Sequence, residues 1–135
     1  MKKIISIILS GLLVFSLVGC GGSSVSTTKP KEINIDKITP EKAKNMLKKD
    51  NVEFNSQNYF SMIKSNDVQK VKLFLKAGMN PNIKCLDSND KDNYGKTGLI
   101  IAVGMGYKDI ATSLIKAGAD INAIDDNSKN ALWEA

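Results

Sequence analysis

Catalysis and metal binding need nucleophiles, bases or ligands held close together, and this chain offers few. It has no histidine, which removes the commonest general base and metal ligand. Carboxylates gather twice. The first group is Asp87, Asp90 and Asp92, with Asn89 among them. Read as a helix-loop-helix calcium loop starting at Asp87, its fifth position is Lys91, a cation where a ligand is required. Started at Asp90, its fifth position is Tyr94 and its twelfth Ile101. Both registers fail, so a solvated polar loop is expected. The second group, Asp125-Asp126, is better explained by turn formation than by acid–base work. No nucleophile stands beside a base and no glycine-rich loop is shaped to cradle phosphate. The chain is therefore not read as an enzyme, and no cofactor, metal or small-molecule substrate is expected.

Charge narrows the partners. All 19 basic residues are lysine, they are scattered, and the net charge is +5. Loss of Lys2 and Lys3 with an export segment takes it from +5 to +3. Nucleic-acid recognition calls for a basic stripe with arginine forks and interleaved aromatics. That pattern is missing, so no nucleic-acid partner is expected.

The elements show one organising stretch, Asp92 to Asp125. Thr97 can cap a helix by accepting a backbone N–H. Leu99, Ala102 and Val103 fall on one stripe at i, i+3 and i+4, and Gly106 ends that helix. Ile110, Ala111, Leu114 and Ile115 form the stripe of a second helix, which Gly118 stops. Asp125, Lys129, Leu132 and Ala135 repeat Asp92, Lys96, Leu99 and Ala102 33 residues later. Neither helix is long enough to be stable alone in water, so each must bury its stripe against a neighbour.

These residues resemble an ankyrin repeat. Asp92, Gly95, Thr97, Leu99, Ala102, Gly106, Leu114, Gly118, Ala119, Asp120, Asn122, Ala123 and Asp125 match that family's pattern. Gly98 stands where the family has proline and Ile100 where it has histidine. A proline at the first helical turn is pre-organised and a glycine is not, so this repeat is expected to be less stable than consensus. The resemblance implies an all-α solenoid of helix pairs joined by β-hairpin fingers. It also implies that finger tips and first-helix faces bind a protein partner. The outward positions are then Asn93, Tyr94, Lys96, Ile101, Met105 and Lys108; Ile101 and Met105 are equally compatible with packing on a neighbouring repeat.

Ahead of the repeats, Met1-Lys2-Lys3 and the apolar run Ile4–Val18 read as an export signal. The run is short of the roughly 20 residues that cross a bilayer. Leu17-Val18-Gly19-Cys20 resembles the lipobox of bacterial lipoproteins, which implies cleavage after residue 19 and diacylation of Cys20. The expected location is the extracytoplasmic face of a cell membrane, or the periplasm. Residues 20–38 are rich in small polar side chains and read as a flexible tether. Residues 39–56 read as a capping helix and bridge: Thr39 caps, Pro40 and Glu41 fit the first turn, and Ala43, Met46 and Leu47 face inward. Val52 and Phe54 are expected to tuck under the next helix.

Repeats occupy 57–135, divided as 57–84, 92–124 and a partial 125–135. In the first, Tyr59, Met62 and Ile63 take the places of Leu99, Ala102 and Val103. Asn66 replaces Gly106, Asp67 caps a helix, and Val68, Val71, Phe74 and Leu75 point inward. A leading helix followed by this wording resembles small bacterial ankyrin proteins. The offset here is 40 rather than 33, which places an extra segment around Cys85–Lys91. With Cys20 acylated, Cys85 has no internal partner; it is either unpaired or joined to another chain. In the last unit Ser128 and Asn130 replace Gly95 and Thr97, and Leu132 can pack on the second repeat. This apolar stump reads either as a truncated product or as a half-repeat serving as lid. The functional expectation is a membrane-tethered protein-binding module. A second reading is an immunity or inhibitor lipoprotein that neutralises a secreted toxin or hydrolase.

Overall fold

Five of the six described helices begin where a polar side chain takes an orphan N–H of the first turn; the fifth in chain order, entered through Tyr107, has no such side-chain cap. The computed structural model describes residues 34–135; the expected signal, Cys20 and the tether as far as residue 33 lie outside the described residues. A single 3-10 turn, Ile35–Lys37, precedes six helices: α1 Pro40–Lys49, α2 Ser56–Lys64, α3 Val68–Lys76, α4 Gly98–Gly104, α5 Lys108–Lys116 and α6 Ala131–Glu134. Thr39, Asn55, Asp67, Thr97 and Asn130 each cap a helix through the side chain. The expected left-handed stops are present: Asn66 at φ 57°, Gly106 at φ 74° and Gly118 at φ 91°. Among the described residues there is no strand. The expected fingers are reduced to isolated antiparallel bridges, Lys84 with Thr97 and Ile124 with Asn130.

The helices stack in two layers. An inner layer runs α2, α4, α6 and an outer layer runs α1, α3, α5, with α2 paired to α3 and α4 to α5. α1 therefore covers the first repeat from the outer side, with Ala43 and Leu47 fully buried. α4 is the centre, touched by α2, α5 and α6. Gly98, Leu99, Ile100, Ile101 and Ala102 are all buried in it, and each large side chain so covered contributes about 1.5–3 kcal/mol. Among the described residues the buried core runs from Ile38 to Ala131.

Three packing expectations need correction. Ile115 is 50% exposed, because α5 is covered by α3 and α4 and no further outer helix lies on its far side among the described residues. Leu132 is 81% exposed while Ala131 is buried: on α6 the face packed against α4 is Ala131's, and among the described residues nothing covers Leu132. Phe54 is only partly covered: it stacks on Phe74 with ring centroids 5.7 Å apart and leaves its other face under the Lys44 ammonium.

Gly98 has a tertiary reason. A Cβ there would lie 2.7 Å from Ile63 Cδ1 and 3.2 Å from the Tyr59 hydroxyl. Ile63 fills the space that a proline or alanine would need, with Tyr59 beside it. The Tyr59 ring packs on Phe74, but its hydroxyl is buried without a hydrogen-bond partner. Burial pushes that hydroxyl's pKa up, so it stays neutral. An unpaired buried hydroxyl costs about 1–3 kcal/mol. Tyr59→Phe is therefore expected to stabilise the protein by about 1 kcal/mol and raise its Tm by about 4–8 °C, read by thermal circular dichroism. An unchanged or lower Tm would show that the hydroxyl is paired.

Candidate functional site

The two fingers close by the same backbone pairing and differ in what lies between. The Cys85 N–H donates to the Lys96 carbonyl at 2.8 Å, and the Asp125 N–H donates to the Lys129 carbonyl at 2.8 Å. Cys85 thus occupies the place of Asp125, and Lys96 that of Lys129. The span from 85 to 96 is eleven residues against four from 125 to 129, so the seven extra residues are 86–92. The 33-residue spacing matched Asp92 to Asp125. In the fold Asp92 is an exposed turn residue and Cys85 is the buried equivalent.

Each finger is held by what its length requires. In the short one, Asp125 Oδ1 accepts from the N–H groups of Asn127 at 2.8 Å and Lys129 at 2.9 Å. Burial would raise that carboxyl's pKa; these backbone donors more than offset it and hold it below the usual carboxylate range. Cys85 cannot close a turn in this way. In the long finger, Asp87 Oδ1 accepts from the Asn89 N–H at 3.0 Å. Asp90 takes Asn93 Nδ2 at 2.9 Å and, across the fold, Lys64 Nζ at 2.6 Å. The insertion is thereby pinned to the last turn of α2. Gly95 at φ 77° and Ser128 at φ 62° occupy the same left-handed position in the two fingers.

This folding back forms a groove of about 540 Å³ between the insertion and α2. Ser56, Asn58, Phe60 and Ser61 line one side, Leu86 and Asp87 the other, and Lys64 joins them. Cys85 also lines it, unpaired and only 1% exposed, so its thiol is poorly placed for a bond to another chain. Leu86 is 71% exposed.

None of the six residues expected to meet a partner lines this groove. Tyr94 is 45% exposed on the finger, Met105 is 41% exposed at the end of α4, and Lys108 is exposed at the start of α5. Asn93 is half-buried and holds Asp90. Lys96 is tied to Glu134 at 3.3 Å. Ile101, read as either an outward position or one packed on a neighbouring repeat, is buried: with α2, α5 and α6 around it, α4 leaves only its C-terminal end open. Phe60, Ser61, Lys64 and Leu86 were missed. The signal for them was the offset of 40, which marks an insertion without saying where it folds.

The family model for ankyrin repeats (3 copies) matches residues 36–125. The chain belongs to the ankyrin-repeat family. No curated protein and no solved structure matches it. Ankyrin-repeat domains are generally non-catalytic interaction modules, which implies a protein partner for this one. The match begins at the 3-10 turn, so it takes in α1 as well as the helix pairs that follow.

Two measurements test the finger analysis. Ser128→Gly removes a left-handed serine and should stabilise the protein by about 1 kcal/mol, seen as a higher midpoint in urea; a lower midpoint would contradict the equivalence with Gly95. The Lys64 hydrogen bond holds the Asp90 carboxyl below its usual range. A depressed carboxylate stabilises above the ordinary range near pH 4, and that contribution fades as pH falls through the folded value. The pair is partly exposed, so its contribution is at most about 1 kcal/mol. Asp90→Asn should lower amide protection over 86–92 about fivefold at pH 7 and remove the further loss that the native chain shows on acidification. Protection that stays unchanged would mean the ion pair does not hold the loop.

Proposed function

We propose that this chain is a membrane-anchored lipoprotein whose ankyrin repeats bind a protein partner through the inner layer, with no catalysis of their own. The anchor in this reading is Cys20, which follows the lipobox-like Leu17-Val18-Gly19 and the apolar run that ends at Val18. Two or more acyl chains on one residue satisfy the requirement for stable anchoring. No helix of the described residues is long and apolar enough to cross a membrane.

One observation carries the binding surface. The insertion 86–92 is fixed by the Asp90–Lys64 pair, yet it presents Leu86 at 71% exposure beside a groove floored by Phe60 and edged with hydroxyl and amide groups. An apolar anchor held rigidly beside polar groups is the composition of an interface core and rim. Tyr94 and Met105 extend the same kind of surface along the finger and the end of α4. The groove's hydrogen-bonding rim suits an extended polypeptide segment.

A photoreactive residue placed at Leu86 or at Tyr94 in the full-length chain tests this in membranes of the source cell, with mass spectrometry as readout. The expected result is one protein crosslinked from both positions, with the Tyr94 crosslink lost on Leu86→Asp, a change at an exposed side chain, while helicity is retained. Recovery of lipid adducts alone, or of unrelated abundant proteins from each position, would refute the proposal. A crosslinked hydrolase or toxin would identify the chain as its inhibitor.

A further inference from the structure

Lysine is not spread evenly over the two layers. The outer helices hold nine lysines: four on α1, three on α3 and two on α5. Against them those helices hold only two carboxylates, Glu41 and Asp109. The inner helices hold one lysine, Lys64, and one carboxylate, Glu134. Such segregation is invisible in the net charge, and it follows from which face of each repeat is covered.

These outer lysines are mostly uncommitted. Only Lys70 is in an ion pair, with Asp67 at 2.7 Å, and Lys76 donates to the Asp36 carbonyl at 2.9 Å. Lys72 and Lys116 are exposed and make no ion pair among the described residues. They converge with Lys76 on a recess of about 850 Å³ between the 3-10 turn, α3 and α5, where Asp36 and Asp109 also lie. The recess therefore keeps a net positive charge.

We infer that the outer layer is a membrane-facing surface, which lies against an anionic lipid bilayer and seats phosphate headgroups at Lys72, Lys76 and Lys116. Charge complementarity decides the occupant. A lysine ammonium is a compact hydrated point charge, attracted to a plane of anionic headgroups without needing a matched geometry. Nucleic acid would require stacking or forked donors; the chain has no arginine, and Phe74, the aromatic of the outer helices, is fully buried. The inference takes its setting from the proposed anchor at Cys20, which would hold α1 close to lipid. It also leaves the inner groove turned away from the bilayer and open to a partner.

The test is independent of the anchor. The chain beginning at Gly21 retains every described core residue, Ile38 to Ala131, and carries no acyl group. It is sedimented with vesicles of phosphatidylcholine alone and of an equimolar phosphatidylcholine–phosphatidylglycerol mixture. Binding is expected only to the anionic vesicles. It should be lost when ionic strength rises from about 0.1 M to about 1 M, which shortens the screening length from about 10 to about 3 Å. Lys72→Gln and Lys116→Gln should each weaken it about fivefold. The finger change Lys129→Gln should leave it unaltered, with helicity checked for every variant. Equal sedimentation with both vesicle types would overturn the inference. So would a Lys129→Gln loss as large as that of Lys72→Gln, or tighter retention by duplex DNA than by anionic vesicles at one salt concentration. Failure here leaves the partner-crosslinking result untouched, and the reverse also holds.

Discussion

Helices of seven to ten residues do not persist in water; five of the six described here are of that length and the sixth is shorter still. Their stability comes from sharing apolar faces, and α4 is where the sharing is most complete. It has Leu99, Ile100, Ile101 and Ala102 in sequence, all buried, and touches helices before, beside and after it. Such a segment cannot be amphipathic; every side of it is an interface. The adjoining helices can then be amphipathic, since α4 receives the faces they bury. Removing burial there would uncouple the first repeat from the third.

Where sharing of apolar faces ends, polar chemistry takes over. The insertion 86–92 has one large apolar side chain, Leu86, and that side chain is exposed. It is positioned instead by Asx-type turns and by the 2.6 Å contact between Asp90 and Lys64. A segment held this way keeps its apolar group available, whereas a segment held by its leucine would have consumed it. The same division explains Lys84 with Asp126 and Lys96 with Glu134, which join neighbouring units along the fingers and the inner layer.

The outer layer has the opposite character. Its helices present lysines to solvent over a buried stripe of Leu47, Val71, Phe74, Ile110 and Leu114. One side of the stack is suited to specific recognition by shape and hydrogen bonds, and the other to diffuse attraction by charge. A repeat fold permits this because inner and outer faces recur at fixed positions in each unit.

Local chemistry was legible in the residues alone. An N-cap needs a side-chain acceptor and an N–H three residues on, so Thr39, Asp67 and Thr97 could be placed without knowing the fold. The left-handed stops at Asn66, Gly106 and Gly118 were legible for the same reason, and the repeat period followed from Asp92, Lys96, Leu99 and Ala102 recurring 33 residues later. Burial was not, because it depends on neighbours distant in the chain. Ile101 reads as either outward or packed until α6 is seen against α4, and Leu132 reads as inward until it is seen 81% exposed. Register across the first finger was also hidden. A spacing of 33 pairs Asp92 with Asp125, but backbone hydrogen bonds pair Cys85 with it, since an insertion can slide along a loop without altering the count. The sequence by itself determined the helix pairs, their limits and their repetition. Only the tertiary structure decided which residues remain exposed and where the groove forms, because both are properties of surfaces that meet after the chain has folded.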